Sequence, residues 1–351
     1  MWLLKALLVF TFVLHLLPMN LILGGSFVAG WGAWRARRGM GPDAGEARLR
    51  WRALAGDLAK LLPVATAFTI TLGIAPLLFL QVLYGQLFYA SSILMAWSWL
   101  GVIALLLVGY YAAYGFSLGQ ERDGGPSAAS AMGSALCFSL IAFVFTNNMT
   151  LMLRPEAFGA LYAADEHGLH LNLRDPLLGP RFLHFLIASF ALTGMVVAFL
   201  GQRRLPAEAD TGAWMRNLGT RLFVAATALQ LGAGLWFLLA LPERVRRLFL
   251  GGGAADTGLL WSAVALAAFA MIAVRRSLAV GATAIGLTVA GMAIVRHRVR
   301  EATLAPHFSA DSLAVNAQTG LFVLFVALLL AGLAVVAWMV RELARTRAAT
   351  P

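Results

Sequence analysis

Long apolar runs separated by short polar or basic segments dominate this chain. A helix needs roughly 20 apolar residues to cross a bilayer, and nine runs approach or exceed this length. The predicted spans cover residues 6–31, 61–83, 98–118, 131–151, 182–201, 219–241, 258–274, 277–296 and 317–340. The pattern therefore predicts an all-α, polytopic membrane protein that forms a single membrane domain over residues 1–351.

Basic residues between the spans indicate the orientation, because Lys and Arg concentrate on the cytoplasmic side of a membrane. They cluster after the first, fifth and seventh spans and in the C-terminal tail. If nine helices alternate, all four clusters share one side, so we expect the N-terminus outside and the C-terminus inside. Residues 35–60 then form a cytoplasmic loop, and residues 152–181 form an extracytoplasmic loop. His167 and His170 in the second loop lie beside acidic residues, but we expect a solvated loop there rather than a metal site.

Composition excludes several classes of protein. The chain is 60% hydrophobic and 12% charged, whereas soluble domains average about 45–50% apolar and about 25% charged residues. A soluble enzyme, a disordered chain and a disulfide scaffold are thereby excluded. Cys137 is the single cysteine, which rules out an iron–sulfur cluster or a covalently attached c-type haem within this chain. We attribute the net charge of +11 to topology and expect no nucleic-acid binding, because no basic segment interleaved with aromatic residues is present.

Two outward segments depart from the charge rule. They contain Arg244, Arg246, Arg247, Arg296, Arg298 and Arg300. One interpretation is that late loops experience little topological pressure. The other is that these arginines contact anionic groups, either haem propionates or an acidic redox partner. The second interpretation predicts that a partner subunit docks on this face.

Histidines are the main ionisable residues that the predicted spans contain. His15, His184 and His297 all fall in the outer half of the membrane under the predicted topology. A lone membrane histidine can simply hydrogen-bond a neighbouring helix, but histidines are also the usual protein ligands of b-type haem. The scarcity of carboxylates argues against a proton or ion pump, because such pumps use ionisable groups inside the membrane.

The segment around His184 resembles a known family. Residues 175–195 read DPLLGPRFLHFLIASFALTGM and are similar to the fifth helix of cytochrome bd quinol oxidase subunit I. Residues 14–24, LHLLPMNLILG, resemble the first-helix histidine stretch of that family, although the proline spacing differs. Asn147-Asn148-Met149 resembles the family motif before the outward loop. The resemblance implies a nine-helix fold in which His184 and His15 bind haem iron.

Several features of the family are missing. The third span has no glutamate, and neither does the eighth span near Val289–Gly291. The seventh span lacks the methionine that completes the low-spin haem, and the long quinol-binding loop is reduced to about residues 242–257. His297 and Met292 are candidates for the remaining iron position. The resemblance thus implies a relative that keeps haem b and has lost oxygen reduction.

These observations lead to one expected function and two alternatives. We expect a haem b subunit of the cytoplasmic (inner) membrane, surrounded by lipid. It passes electrons between the quinone pool and an extracytoplasmic partner such as cytochrome c. Whether it is an enzyme stays open, with a quinol-dependent oxidoreductase subunit as one possibility. The alternatives are a cytochrome bd-type terminal oxidase with altered ligands and a haem-free structural anchor.

Overall fold

The computed structural model describes residues 1–38, 44–119, 127–314 and 318–348. Helices make up nearly all of this part of the chain, and no strand occurs in it. Nine of the described helices are long and apolar enough to cross a membrane. The prediction of an all-α, polytopic membrane protein is therefore confirmed.

The helices are α1 Trp2–Arg37, α2 Ala44–Leu94, α3 Ala96–Gly119, α4 Ala128–Leu151, α5 Phe158–Ala164, α6 Leu178–Arg204, α7 Ala209–Ala240, α8 Glu243–Arg247, α9 Ala254–Arg276, α10 Leu278–Leu304 and α11 Thr319–Ala348. Short 3-10 turns cover Pro155–Ala157 and Ala310–Ser312, and a π-helical turn covers Leu248–Gly252. The chain divides into two compact units, Trp2–Ala310 and the C-terminal part from Asp311 onwards. Helices α1 to α10 form the first unit, which is called the bundle below, and α11 belongs to the second.

The second helix is longer than the sequence predicted. It begins at Ala44, so residues 44–60 of the predicted cytoplasmic loop are helical, while residues 39–43 lie outside the described part. Runs of apolar residues do not predict this extension, because charged residues interrupt the hydrophobic pattern of residues 44–60. Near its other end the helix kinks at Tyr84, which has φ −135° and ψ 26°. Tyr84 is buried against the rest of the bundle.

Glycines bring the backbones of α6 and α7 into direct contact. Gly194 and Gly201 on α6 face Gly219 and Gly212 on α7. A Cβ added at Gly194 would lie 2.5 Å from the backbone nitrogen of Phe223, which leaves no room for any side chain. Small residues at their interfaces let membrane helices approach closely enough for extensive van der Waals contact. This contact matters because the hydrophobic effect does not drive helices together within lipid.

The loop of residues 152–181 is anchored to the bundle. Gly168 has φ +73°, a conformation that L side chains rarely adopt. Its carbonyl accepts a hydrogen bond from the Trp97 amide, and the His170 amide donates to the Leu94 carbonyl at 3.0 Å. The loop therefore packs over the α2–α3 turn, while much of its length, including His167, stays exposed.

A buried polar network fixes the end of this loop to the start of α6. The Asn172 amide donates to Asn147 Oδ1 at 3.0 Å, and Asn172 Nδ2 donates to Asp175 Oδ2 at 3.1 Å. Asp175 also accepts from the Leu177 amide at 2.8 Å and pairs with Arg154 at 3.6 Å. A carboxylate next to a helix N-terminus is favourable because it meets unpaired amides and the positive end of the helix dipole. The network thus sets where α6 begins.

Candidate functional site

Polar side chains gather at the end of the bundle where α1 and α6 begin and α2 and α10 end. His184 lies on α6, two turns into the helix, and faces α7. Its Nε2 lies 3.2 Å from Gln230 Nε2, and its ring packs against Gly234, where an added Cβ would lie 3.3 Å from Cε1. His184 Nδ1 is buried and has no hydrogen-bond partner. Gln230 thus engages one ring nitrogen, and the other has no hydrogen-bond partner among the described residues.

His15 faces a different helix. Its Nδ1 lies 3.1 Å from the Thr69 carbonyl of α2, and its ring packs against Gly73. A carbonyl only accepts, so Nδ1 carries the proton and Nε2 presents a lone pair. Metal-binding histidines usually have this arrangement, in which the second ring nitrogen donates to a carbonyl or carboxylate. Because His15 contacts α2 and His184 contacts α7, the contacts do not bring the two rings onto one iron.

His297 and Met292 lie on α10. His297 is 8% exposed, its Nε2 is 3.5 Å from Glu301 Oε1, and its Nδ1 is buried without a partner. Met292 is half-buried one turn before Arg296. No contact places either residue next to His15 or His184, so their assignment as iron ligands stays a prediction.

Three guanidinium groups, here called the arginine cluster, lie close enough to repel one another: Arg181 on α6 and Arg296 and Arg300 on α10. Each also lies over an aromatic ring. Arg296 is 4.3 Å from the ring centre of Phe12, Arg300 is 5.1 Å from that of Tyr84, and Arg181 is 5.3 Å from that of Phe237. Arg300 is only 6% exposed. The charge of Arg296 also acts on His15.

Two neighbouring cations, Lys5 and Arg298, contact carboxylates. They and their partners Asp256 and Glu301 are called the paired group. Lys5 contacts Glu301 at 2.5 Å. Arg298 holds Asp256 through two hydrogen bonds, of 2.8 and 3.1 Å, and also contacts Glu301 at 3.1 Å. Asp256 is 7% exposed. This group joins α1, α9 and α10.

The six arginines predicted to form a docking surface do not share one environment. Arg244 and Arg247 on α8 and Arg298 on α10 are exposed, Arg246 and Arg296 are half-buried, and Arg300 is buried. Arg244 donates to the Ala302 carbonyl, Arg246 to the Leu239 carbonyl at 2.9 Å, and Arg247 to Glu243. Burial removes Arg300 from any docking surface, because α10 turns positions 296 and 300 towards the bundle interior and position 298 away from it.

The sequence pattern alone does not identify several members of this site. Asp256 and Glu301 each lie near the outer end of a predicted span, where charged residues are common. Tyr84 lay just beyond the predicted end of the second span. Arg181 appeared only as part of the motif before His184. A helical-wheel reading of residues 296–301 would have separated Arg296 and Arg300 from Arg298, since positions four apart share a face.

The residues present are compatible with haem. An imidazole with an unengaged buried nitrogen and an arginine one turn nearer the surface occur together on α6, and His15 has Arg296 beside it. Imidazole nitrogen suits iron, and guanidinium suits carboxylates. Among the described residues, no cluster of three or more His, Cys, Asp or Glu side chains forms a conventional metal site.

The fold and this site define a polytopic helical membrane protein with a histidine- and arginine-lined polar end. No protein-family profile matches the chain, and a comparison with curated proteins finds no match.

Proposed function

We propose that this protein is a haem b-binding electron-transfer subunit of the cytoplasmic membrane. The observation that carries the proposal is the buried, unpartnered Nδ1 of His184, one helical turn from Arg181. Leaving a buried polar atom without a partner is costly. A ligand bound through that atom would remove this cost.

Gln230 is the residue that would orient His184. As placed, Gln230 Nε2 donates to His184 Nε2, which leaves the proton on Nδ1. Iron binding through Nδ1 needs the Gln230 amide reversed, so that its oxygen accepts from Nε2 and Nδ1 presents a lone pair. Side-chain amide oxygen and nitrogen are assigned from their hydrogen-bond networks, so this orientation uses the same atom positions. Gly234 leaves space for the ring to lie flat against α7. The haem, when bound, supplies one-electron redox chemistry.

His15 is the candidate ligand of a second haem. Its Nδ1 bond to the Thr69 carbonyl fixes the ring and leaves Nε2 available. Since His15 and His184 face different helices, each would hold its own haem, and His297 or Met292 remain candidates for the opposite iron position. Two haems near one membrane surface suit electron transfer to a partner outside the membrane.

Quinone and an extracytoplasmic redox protein, such as a cytochrome c, are the proposed electron-transfer partners. The spans lack the glutamates that the family resemblance associates with oxygen reduction, which favours electron transfer over a terminal oxidase. The exposed arginines of α8 lie at the same end as the histidines and offer a positive surface for an acidic partner.

The test is an optical spectrum of the purified full-length protein, recorded reduced minus oxidised and as the pyridine haemochrome. We expect haem b in the native protein and loss of one haem signal in His184→Ala. His167→Ala serves as the control, because His167 is exposed in the loop. An unchanged haem spectrum in His184→Ala would remove His184 from the site.

The haem-free anchor is the competing function, and one contact favours it. The 3.2 Å approach of Gln230 Nε2 to His184 Nε2 satisfies one ring nitrogen within the protein, as in a histidine that only packs helices together. The same spectrum separates the two functions, since an anchor contains no haem. Haem d in that spectrum would instead indicate a terminal oxidase.

A further inference from the structure

No carboxylate contacts the arginine cluster directly, unlike its neighbours, although the charges of Asp175 and Glu301 attract Arg181 and Arg300 from further away. Lys5 and Arg298 contact Glu301, and Arg298 also holds Asp256. In the described part of the chain, no carboxylate lies within ion-pair distance of Arg181, Arg296 or Arg300. Arg181 donates to the Met149 carbonyl at 3.2 Å and to the Thr150 hydroxyl at 3.3 Å, and the Asp175 carboxylate attracts it from beyond ion-pair distance.

An uncompensated cation inside a membrane protein is expensive. The charged form loses hydration, and nearby like charges add repulsion that a low dielectric strengthens. Arg296 and Arg300 lie four residues apart on one face of α10, where like charges are unfavourable even on exposed helices. All three groups nevertheless occur together at this end of the bundle. An anion bound among them would offset both the desolvation and the repulsion.

The surroundings indicate what kind of anion fits. Each guanidinium lies over the face of an aromatic ring from another helix or helix end: Phe12 on α1, Tyr84 on α2 and Phe237 on α7. Aromatic walls with cationic groups at the surface end match an amphiphile that has an apolar body and an anionic head. The forked guanidinium geometry suits carboxylate and phosphate oxygens in particular.

We propose that Arg181, Arg296 and Arg300 form a binding site for the oxyanion groups of a membrane-embedded amphiphile. Two sources have this chemistry: the carboxylates of haem, in which case the inference rests on the proposed function, and the phosphate of an acidic lipid headgroup. The site differs from the exposed α8 arginines, which already have partners at the surface.

The first arm of the test titrates the full-length protein, prepared without haem, with ferric protoporphyrin IX and with its dimethyl ester. If haem carboxylates occupy the site, Arg296→Gln and Arg300→Gln weaken binding of the free acid by roughly 10- to 100-fold, the range expected for one charge-assisted bond. Binding of the ester is unchanged in both variants. Arg247→Gln, an exposed position that loses the same charge, leaves both ligands unaffected.

The second arm measures melting temperature in nanodiscs of phosphatidylglycerol and of phosphatidylcholine. If lipid phosphate occupies the site, phosphatidylglycerol raises the melting temperature of the native protein, and Arg296→Gln or Arg300→Gln abolishes that difference. Arg247→Gln keeps it. This arm does not depend on haem, so failure of the protein to bind either porphyrin would contradict the proposed function and leave the anion site to be decided by the lipid.

The melting temperature without added anion provides a further readout. Removing a buried charge that no carboxylate contacts relieves the repulsion from Arg181 and Arg296, so we expect Arg300→Gln in phosphatidylcholine to melt at the same or a higher temperature than the native protein. An arginine with a purely structural role predicts a lower melting temperature. Variants that melt lower in phosphatidylcholine, together with no change in either ligand response, would overturn the anion site.

Discussion

The two halves of the α6–α7 helix pair contact each other in different ways. In one half, Gly194 and Gly201 meet Gly219 and Gly212 so closely that backbone touches backbone. In the other half, His184 and Gln230 face each other through polar side chains, and one histidine nitrogen has no partner. The first half packs backbone against backbone, whereas the second packs a histidine ring against a polar side chain. The glycine half sets the spacing of the helices, and in the proposed function the polar half uses that spacing to hold a haem.

This division makes opposite predictions for the two halves. Substitutions in the glycine half should change whether the bundle forms, with little dependence on any ligand. Substitutions in the polar half should change what binds, with a smaller effect on the bundle itself.

The largest effect is expected from Gly194→Leu. Its Cβ would lie 2.5 Å from the Phe223 nitrogen and 2.8 Å from the Gly219 carbonyl, and backbone atoms cannot move aside as a flexible side chain can. We expect a destabilisation of more than about 3 kcal/mol, seen as loss of monodisperse protein in size-exclusion chromatography. Gly232→Leu on α7 is the matched control, because an added Cβ meets nothing within 4 Å there. Equal loss in both variants would show that leucine harms the pair regardless of position.

A smaller effect is expected from Asp175→Asn, which tests how the polar half is positioned. Asp175 accepts from the Leu177 amide and the Asn172 side chain and pairs with Arg154. Asparagine keeps the shape but removes the charge and one acceptor, so we expect destabilisation of about 1–3 kcal/mol, measured as a lower melting temperature. Asp165→Asn in the same loop is the control, since Asp165 has a single local bond to the His167 amide. A melting temperature unchanged by Asp175→Asn would mean that the network does not hold the start of α6.

The sequence predicted the helical spans well because hydrocarbon imposes one rule on every residue of a span. It did not predict partners that are distant along the chain. Lys5 and Glu301 form an ion pair although 296 positions separate them, and no local pattern indicates this. The predicted eighth span ends at residue 296, which places its arginines together outside the membrane. In the structure, α10 continues to Leu304. That continuation places Arg300 inside the bundle. The histidines themselves stood out because ionisable residues are rare in spans.

Gln230→Leu sharpens the comparison within the polar half. Leucine has a similar volume and cannot hydrogen-bond His184, so the ring loses the contact that fixes its orientation. If His184 binds haem, we expect haem affinity to fall by about 10- to 100-fold, as for other residues that orient metal ligands. Gln81→Leu is the control, since Gln81 lies on α2 and has no contact with His184. A melting temperature that falls without any change in haem binding would assign Gln230 a packing role.

The smallest effect is expected at the surface of α8. Charge reversal by Arg246→Glu and Arg247→Glu should weaken binding of an acidic electron carrier, because exposed charges steer association and contribute modestly to affinity. We expect a few-fold slower association at low salt, measured by stopped-flow electron transfer. The difference should vanish as the ionic strength approaches 1 M, where the Debye length is about 3 Å. The same reversal at Arg37 and Arg38, at the opposite end of α1, is the control. If only that end affects association, the electron carrier docks on the other membrane face, and the predicted orientation of the helices is reversed with it.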